Sequence, residues 1–192
     1  MAGVAGPMLR RSRSSGTRFL LGLAAGGAAA GVLLSLPAFL VGSALDAVAP
    51  ERVRLLVLAG LLAALAAADL LHRTPHLMRQ VPERLVWKLP PGSLGLAWGF
   101  DIGLLFTTQK TTSLIWAAIG ATVLLGPTWS APVLVSVALA ASLAIALWSA
   151  GGWVDRIVRH ERYREWLGWA RRAAGVAMAA LCVATILQTW PS

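Results

Sequence analysis

The sequence predicts an all-α integral membrane protein, a helical bundle of five full transmembrane spans plus one short re-entrant or interfacial helix. Three observations predict it. Of 192 residues, 57% are hydrophobic and only 13% charged, where soluble domains carry about 25% charged residues. The apolar residues fall in blocks, several of them long enough to supply the roughly 20 residues that cross about 30 Å of hydrocarbon. The basic residues lie almost wholly between those blocks. A mean hydropathy of +0.70 leaves no room for a second, soluble domain.

Residues 1–17, small, polar and basic, predict a disordered cytoplasmic arm. The following apolar run, about 19–45, is too long for a removable signal and reads as the first span. Gly22 with Gly26, and Gly27 with Gly31, form two small-xxx-small pairs that let helices approach closely in lipid. Pro37, inside that run, predicts a kink. The second span covers 53–71. A basic connector, 72–91, carries Pro75, Pro82, Pro90 and Pro91, which stop helix propagation. The stretch 92–126 is too long for one span, and polar residues divide it. Residues 92–106 make the short segment and 111–129 a full span. The remaining spans are 132–150 and 173–190, with an amphipathic surface helix at 153–169 between them. The single transmembrane domain is thus 18–192.

Charge arbitrates the number of crossings. With five spans and a cytoplasmic N-terminus, the arm, the 72–91 connector, Lys110 and the 153–172 segment all lie inside. Only Arg52 and Arg54 are then outside. A sixth span at 92–106, the alternative, would turn the six arginines of 153–172 outward. The expected location is a cell (inner or plasma) membrane. Trp129 and Trp190 would lie at its outer interface, and Trp87, Trp153, Trp166 and Trp169 at its inner one.

The net charge of +9 would suggest nucleic acid in a soluble protein. Here it predicts contact with anionic lipid headgroups instead, with no nucleic-acid partner. Cys182, the one cysteine, cannot form an intramolecular disulfide or a redox pair, and reads as a small apolar residue. His72 and His76 have helical i,i+4 spacing, but Pro75 interrupts them and no third ligand is near, so no metal is expected. No phosphate loop, dinucleotide fingerprint, HExxH or CxxC occurs. The reading is therefore not of an enzyme, and no cofactor is expected.

An ionisable residue at membrane depth is costly and is a functional hypothesis by default. Asp101, in the run WGFDIG, is the foremost. Gly95, Gly99 and Gly103 recur every four residues and form one backbone-exposing stripe, from which Asp101 points about 160° away. Asp101 then either contributes to a polar substrate or ion path in an interrupted helix, or pairs with Lys110 or an arginine to hold helices together. Thr107, Thr108, Gln109, Lys110 and Thr111 extend that candidate path or form a polar surface turn. Asp69, four residues before Arg73, predicts an interfacial ion pair.

The run RQVPERLVWKLPPGSLGLAWGFDIGLLFTTQKTTSLIW resembles small polytopic bacterial membrane proteins related to the cytochrome c biogenesis (CcdA/DsbD-like) transmembrane family. The features carrying it, over residues 79–126, are the Pro-containing basic connector, the Gly-rich W-G-F-D-I-G helix start and the hydroxyl-rich break. The resemblance implies a bundle that moves reducing equivalents through paired cysteines in kinked helices. This chain lacks those cysteines beside Pro37 and Pro127, so only the scaffold carries over, and the family's six-span layout departs from the five-span charge pattern. Two functions follow as expectations. One is a small transporter-like or transfer protein with a polar path around Asp101 and Lys110. The other is a noncatalytic membrane subunit or anchor of a cell-envelope or redox complex, contacting a membrane or redox protein partner.

Overall fold

The computed structural model of the chain describes residues 12–75, 88–105, 112–150 and 162–189. Among them the protein is helical, without strands. The elements are α1 (Arg13–Val48), α2 (Glu51–Leu70), α3 (Pro91–Gly103), α4 (Leu114–Leu125), a 3-10 turn (Pro127–Trp129), α5 (Ser130–Ala150) and α6 (Arg162–Thr189). Four stretches are long and apolar enough to cross a membrane: Arg13–Val48, Glu51–Leu70, Pro127–Ala144 and Glu165–Thr189. They fall on four of the five expected spans. Their exposed faces carry large apolar side chains such as Leu21, Leu36, Leu40, Val57 and Leu187, a surface that suits lipid better than water.

The elements depart from the expected boundaries in specific ways. In the remaining expected span, 111–129, the helix is only Leu114–Leu125, about 18 Å long. Gly126, at φ −152° and ψ 71°, leaves helical geometry, and Pro127 follows. α1 begins at Arg13, inside the stretch expected to be a disordered arm, because Ser12 caps it. The Ser15 N–H donates to Ser12 Oγ (3.4 Å), and the Gly16 N–H donates to the Ser12 carbonyl (3.0 Å). Residues 1–11 lie outside the described residues. α1 continues through Pro37 as one element. α6 runs unbroken from the charged segment into the last apolar block, whereas 153–161, the first part of the expected surface helix, lies outside the described residues.

The chain forms two compact units. In the first, residues 13–33 of α1 pack against α3 and residues 135–150 of α5. Phe19 and Leu23 meet Leu94, Trp98 and Ile102 in its core, and the Phe19 and Trp98 rings stand edge to face at 5.9 Å. The backbones of α1 and α3 nearly touch. A Cβ added at Gly95 would collide with the Phe19 carbonyl, and one at Gly99 with the Leu23 carbonyl. At Gly103 it would lie 2.7 Å from the Gly27 oxygen. From the α1 side, Gly22 meets Gly92, and Gly26 meets Leu96 and Phe100. Gly31 is buried one turn further on. Contacts advance together along both helices, so α1 and α3 run parallel, with Gly103 at the level of Gly27 and Ala30.

The second unit holds residues 34–48 of α1, then α2, α4, the 3-10 turn and α6. Its core joins Leu58, Leu62, Leu65 and Ala66 of α2 to Ala117 and Leu124 of α4 and Met178 of α6. Gly175 of α6 lies over Ala66 and Leu70 of α2. Seven residues later the Cys182 thiol, half-buried, donates to the Ala59 carbonyl at 3.2 Å. α6 therefore runs antiparallel to α2.

Candidate functional site

α3 starts at Pro91, whose fixed φ suits a first helical turn. It ends after 13 residues, about 20 Å. Leu105 terminates it at φ 61°, a left-handed conformation that costs a non-glycine residue about 1–2 kcal/mol, and its side chain is fully buried. Within this short helix Asp101 is only 6% exposed. It faces away from the glycine stripe that meets α1 and shares its face with Trp98, one turn earlier.

Two further polar atoms are buried in the same unit. Trp98 Nε1 (residue 6% exposed) and Ser142 Oγ (residue 0% exposed) have no hydrogen-bond partner among the described residues. Ser142, on α5, abuts Gly27 of α1, where a Cβ would collide with its hydroxyl. The unit thus buries a carboxylate, an indole N–H and a hydroxyl, the indole packed with Leu23, Leu94 and Ile102. An interior donor without a partner costs about 1–3 kcal/mol. Thr107, Thr108, Gln109, Lys110 and Thr111, the rest of the expected path, lie outside the described residues. So does His76, and no group of three or more His, Cys, Asp or Glu residues capable of holding a metal occurs among the described ones.

A second buried carboxylate, Asp69, behaves differently. The sequence suggested an ion pair with Arg73. Instead Asp69 is 0% exposed and accepts three hydrogen bonds: Thr74 Oγ1 (2.8 Å) and Ser113 Oγ (2.7 Å) donate to its Oδ1, and the Ser113 N–H (2.8 Å) to its Oδ2. The reason is local. His72 takes φ 58° and ends the helical path, so Arg73 is no longer one turn above Asp69. The carboxylate instead sits at the N-terminus of α4, whose dipole favours negative charge.

The other end of α4 is held in the complementary sense. Arg54, near the start of α2, donates from Nη1 to the Leu124 carbonyl (3.1 Å) and pairs with Asp46 at 2.6 Å. α2 therefore clamps α4 at both termini with charges matched to its dipole, antiparallel to it. The Trp116 indole adds a hydrogen bond to the Pro75 carbonyl at 3.1 Å. All of Asp69's partners are internal, which marks it as structural. The sequence signal for it was faint, a lone acid ending an apolar run and a serine before another.

Below the end of α2, a cavity of about 570 Å³ is lined by His72 and by the charged first turns of α6, among them Glu165, Trp169, Arg171 and Arg172. The Arg172 guanidinium lies 5.9 Å from the Trp169 ring centroid. No protein-family model, curated protein or solved structure matches the chain.

Proposed function

We propose that the protein is a polytopic cell-membrane protein that conducts a cation, the proton included, along a polar path passing Asp101. The observation that carries this reading is the depth of Asp101. α3 runs parallel to α1 and ends beside Ala30, near the middle of the apolar run 19–45. An ionisable residue at that depth is costly and typically functional, and helices that end inside a membrane are where transporters place ion contacts. The buried donors of Trp98, on α3, and of Ser142, against Gly27 of α1, supply further polar groups in the same unit.

The same geometry supports five crossings with the N-terminus cytoplasmic, α3 being re-entrant. Parallel packing starts α3 on the side from which α1 enters, in agreement with a cytoplasmic 72–91 connector. α4, although short, reaches from Asp69 to Arg54 of α2, about 22 Å of helix axis, and so traverses most of the depth that α2 does.

The test uses proteoliposomes with an entrapped pH indicator and a potassium-diffusion potential set by valinomycin, with radioactive sodium uptake in parallel. Wild-type protein raises cation entry above that of empty vesicles, and Asp101→Asn abolishes the increase while inserting at wild-type level. Equal flux in both proteins refutes the path through Asp101. The subunit or anchor reading is favoured by α6, whose apolar window is only 17% buried, against 39% for α1 and α2. It predicts a co-purifying membrane protein lost on changing Val176 and Val183 to Ala, with Asp101→Asn silent.

A further inference from the structure

Among the described residues that line the cavity beside His72, Arg171 and Arg172 bring two guanidinium groups and Glu165 a carboxylate. Guanidinium groups match phosphate oxygens in geometry and charge. Leu167 and Trp169 add apolar wall, and Trp169, 69% exposed, carries Arg172 over its face. At Gly168, which also lines the cavity, an added Cβ would meet no atom within 4 Å.

Its place along the helices indicates the source of the phosphate. The uncharged run of α6 begins immediately after Arg172, and α2 reaches its exposed apolar end at Leu70 and Leu71 just before His72. The cavity therefore straddles the change from charged to hydrocarbon-compatible surface, the level of lipid headgroups. A soluble phosphate compound would have no use for the apolar side chains on its rim. An acyl chain would.

We propose that this cavity binds the phosphate of an anionic phospholipid, with Arg171 and Arg172 on the headgroup and the exposed leucines at the end of α2 against the chains. The proposal rests on the membrane placement above but not on the ion path.

The full chain in mild detergent is titrated with dioleoyl-phosphatidylglycerol or dioleoyl-phosphatidylcholine, and retained lipid is counted by native mass spectrometry. Phosphatidylglycerol is retained in preference to phosphatidylcholine, and the double variant Arg171→Ala/Arg172→Ala weakens retention by about tenfold or more. Arg13→Ala/Arg18→Ala, which removes the same charge elsewhere, leaves it within about twofold if the contact is specific rather than diffuse. Gly168→Leu keeps both arginines, favours helix and obstructs part of the cavity, so it too weakens retention. Equal loss in the two double variants, equal retention of the two lipids, or displacement by inorganic phosphate at the lipid's own concentration each overturns the proposal. Asp101→Asn retains lipid as wild type does, so failure of this site and failure of the ion path are separately visible.

Discussion

Two carboxylates, Asp69 and Asp101, are buried, and a different role is proposed for each. Asp69 receives three hydrogen bonds and the positive end of α4, so its removal takes a buried acceptor from three donors. Hydrogen bonds to a charged group contribute about 1.5–3 kcal/mol each, and stranded donors add their desolvation cost. Asp69→Ala should therefore destabilise the protein by about 3 kcal/mol or more, read as a lowered thermal midpoint in detergent. Ser113→Ala, which keeps the backbone N–H bond, should cost about half of that. A midpoint unchanged in Asp69→Ala would mean that water reaches the site and that the cap is not structural. Asp101 makes the contrasting case: its exchange for Asn is expected to stop cation flux with the fold intact.

Among the helices, what sets position is backbone proximity more than side-chain bulk. α1 and α3 meet through Gly22, Gly26, Gly95, Gly99 and Gly103, where any Cβ would strike backbone atoms that cannot move aside. Gly99→Leu should cost about 3 kcal/mol, the upper range for overpacking. Gly60→Leu makes the control, since a Cβ there meets nothing within 4 Å, and it should be neutral or stabilising by up to about 1 kcal/mol through helix propensity. Thermal unfolding of the two variants, side by side, checks this, and equal midpoints would contradict the tight α1–α3 contact. The glycine spacing was legible in the sequence, because a period of four on a helix is a local pattern. The ends of α4 were not. They depend on Asp69 reaching Ser113, 44 residues on, and Arg54 reaching Leu124, 70 residues on. Long-range caps leave no periodic trace, so the expected span 111–129 does not mark where α4 starts and stops. The buried Trp98 and Ser142 donors were equally silent, since neither residue type announces its burial.

For the molecule as a whole, lipid solvation makes the apolar blocks visible in the sequence, and charge asymmetry makes their direction arguable. The number of crossings turns on α3 and on α4, whose 12 residues are fewer than an ordinary span needs. If α3 crossed fully, everything after it would change sides while α1 and α2 stayed put. Single cysteines in a Cys182→Ser background separate the cases when an impermeant maleimide is applied to intact cells. With α3 re-entrant, Ala49→Cys, Thr128→Cys and Gln188→Cys are labelled from outside, and Ser14→Cys and Glu165→Cys only after permeabilisation. With α3 crossing, Thr128→Cys and Glu165→Cys exchange behaviour while Ser14→Cys and Ala49→Cys keep theirs. The first pattern is expected, because it leaves Arg171 and Arg172 on the cytoplasmic side with the basic connector. It also stops α3 beside Ala30, with Asp101 inside the membrane rather than carried through to its far face.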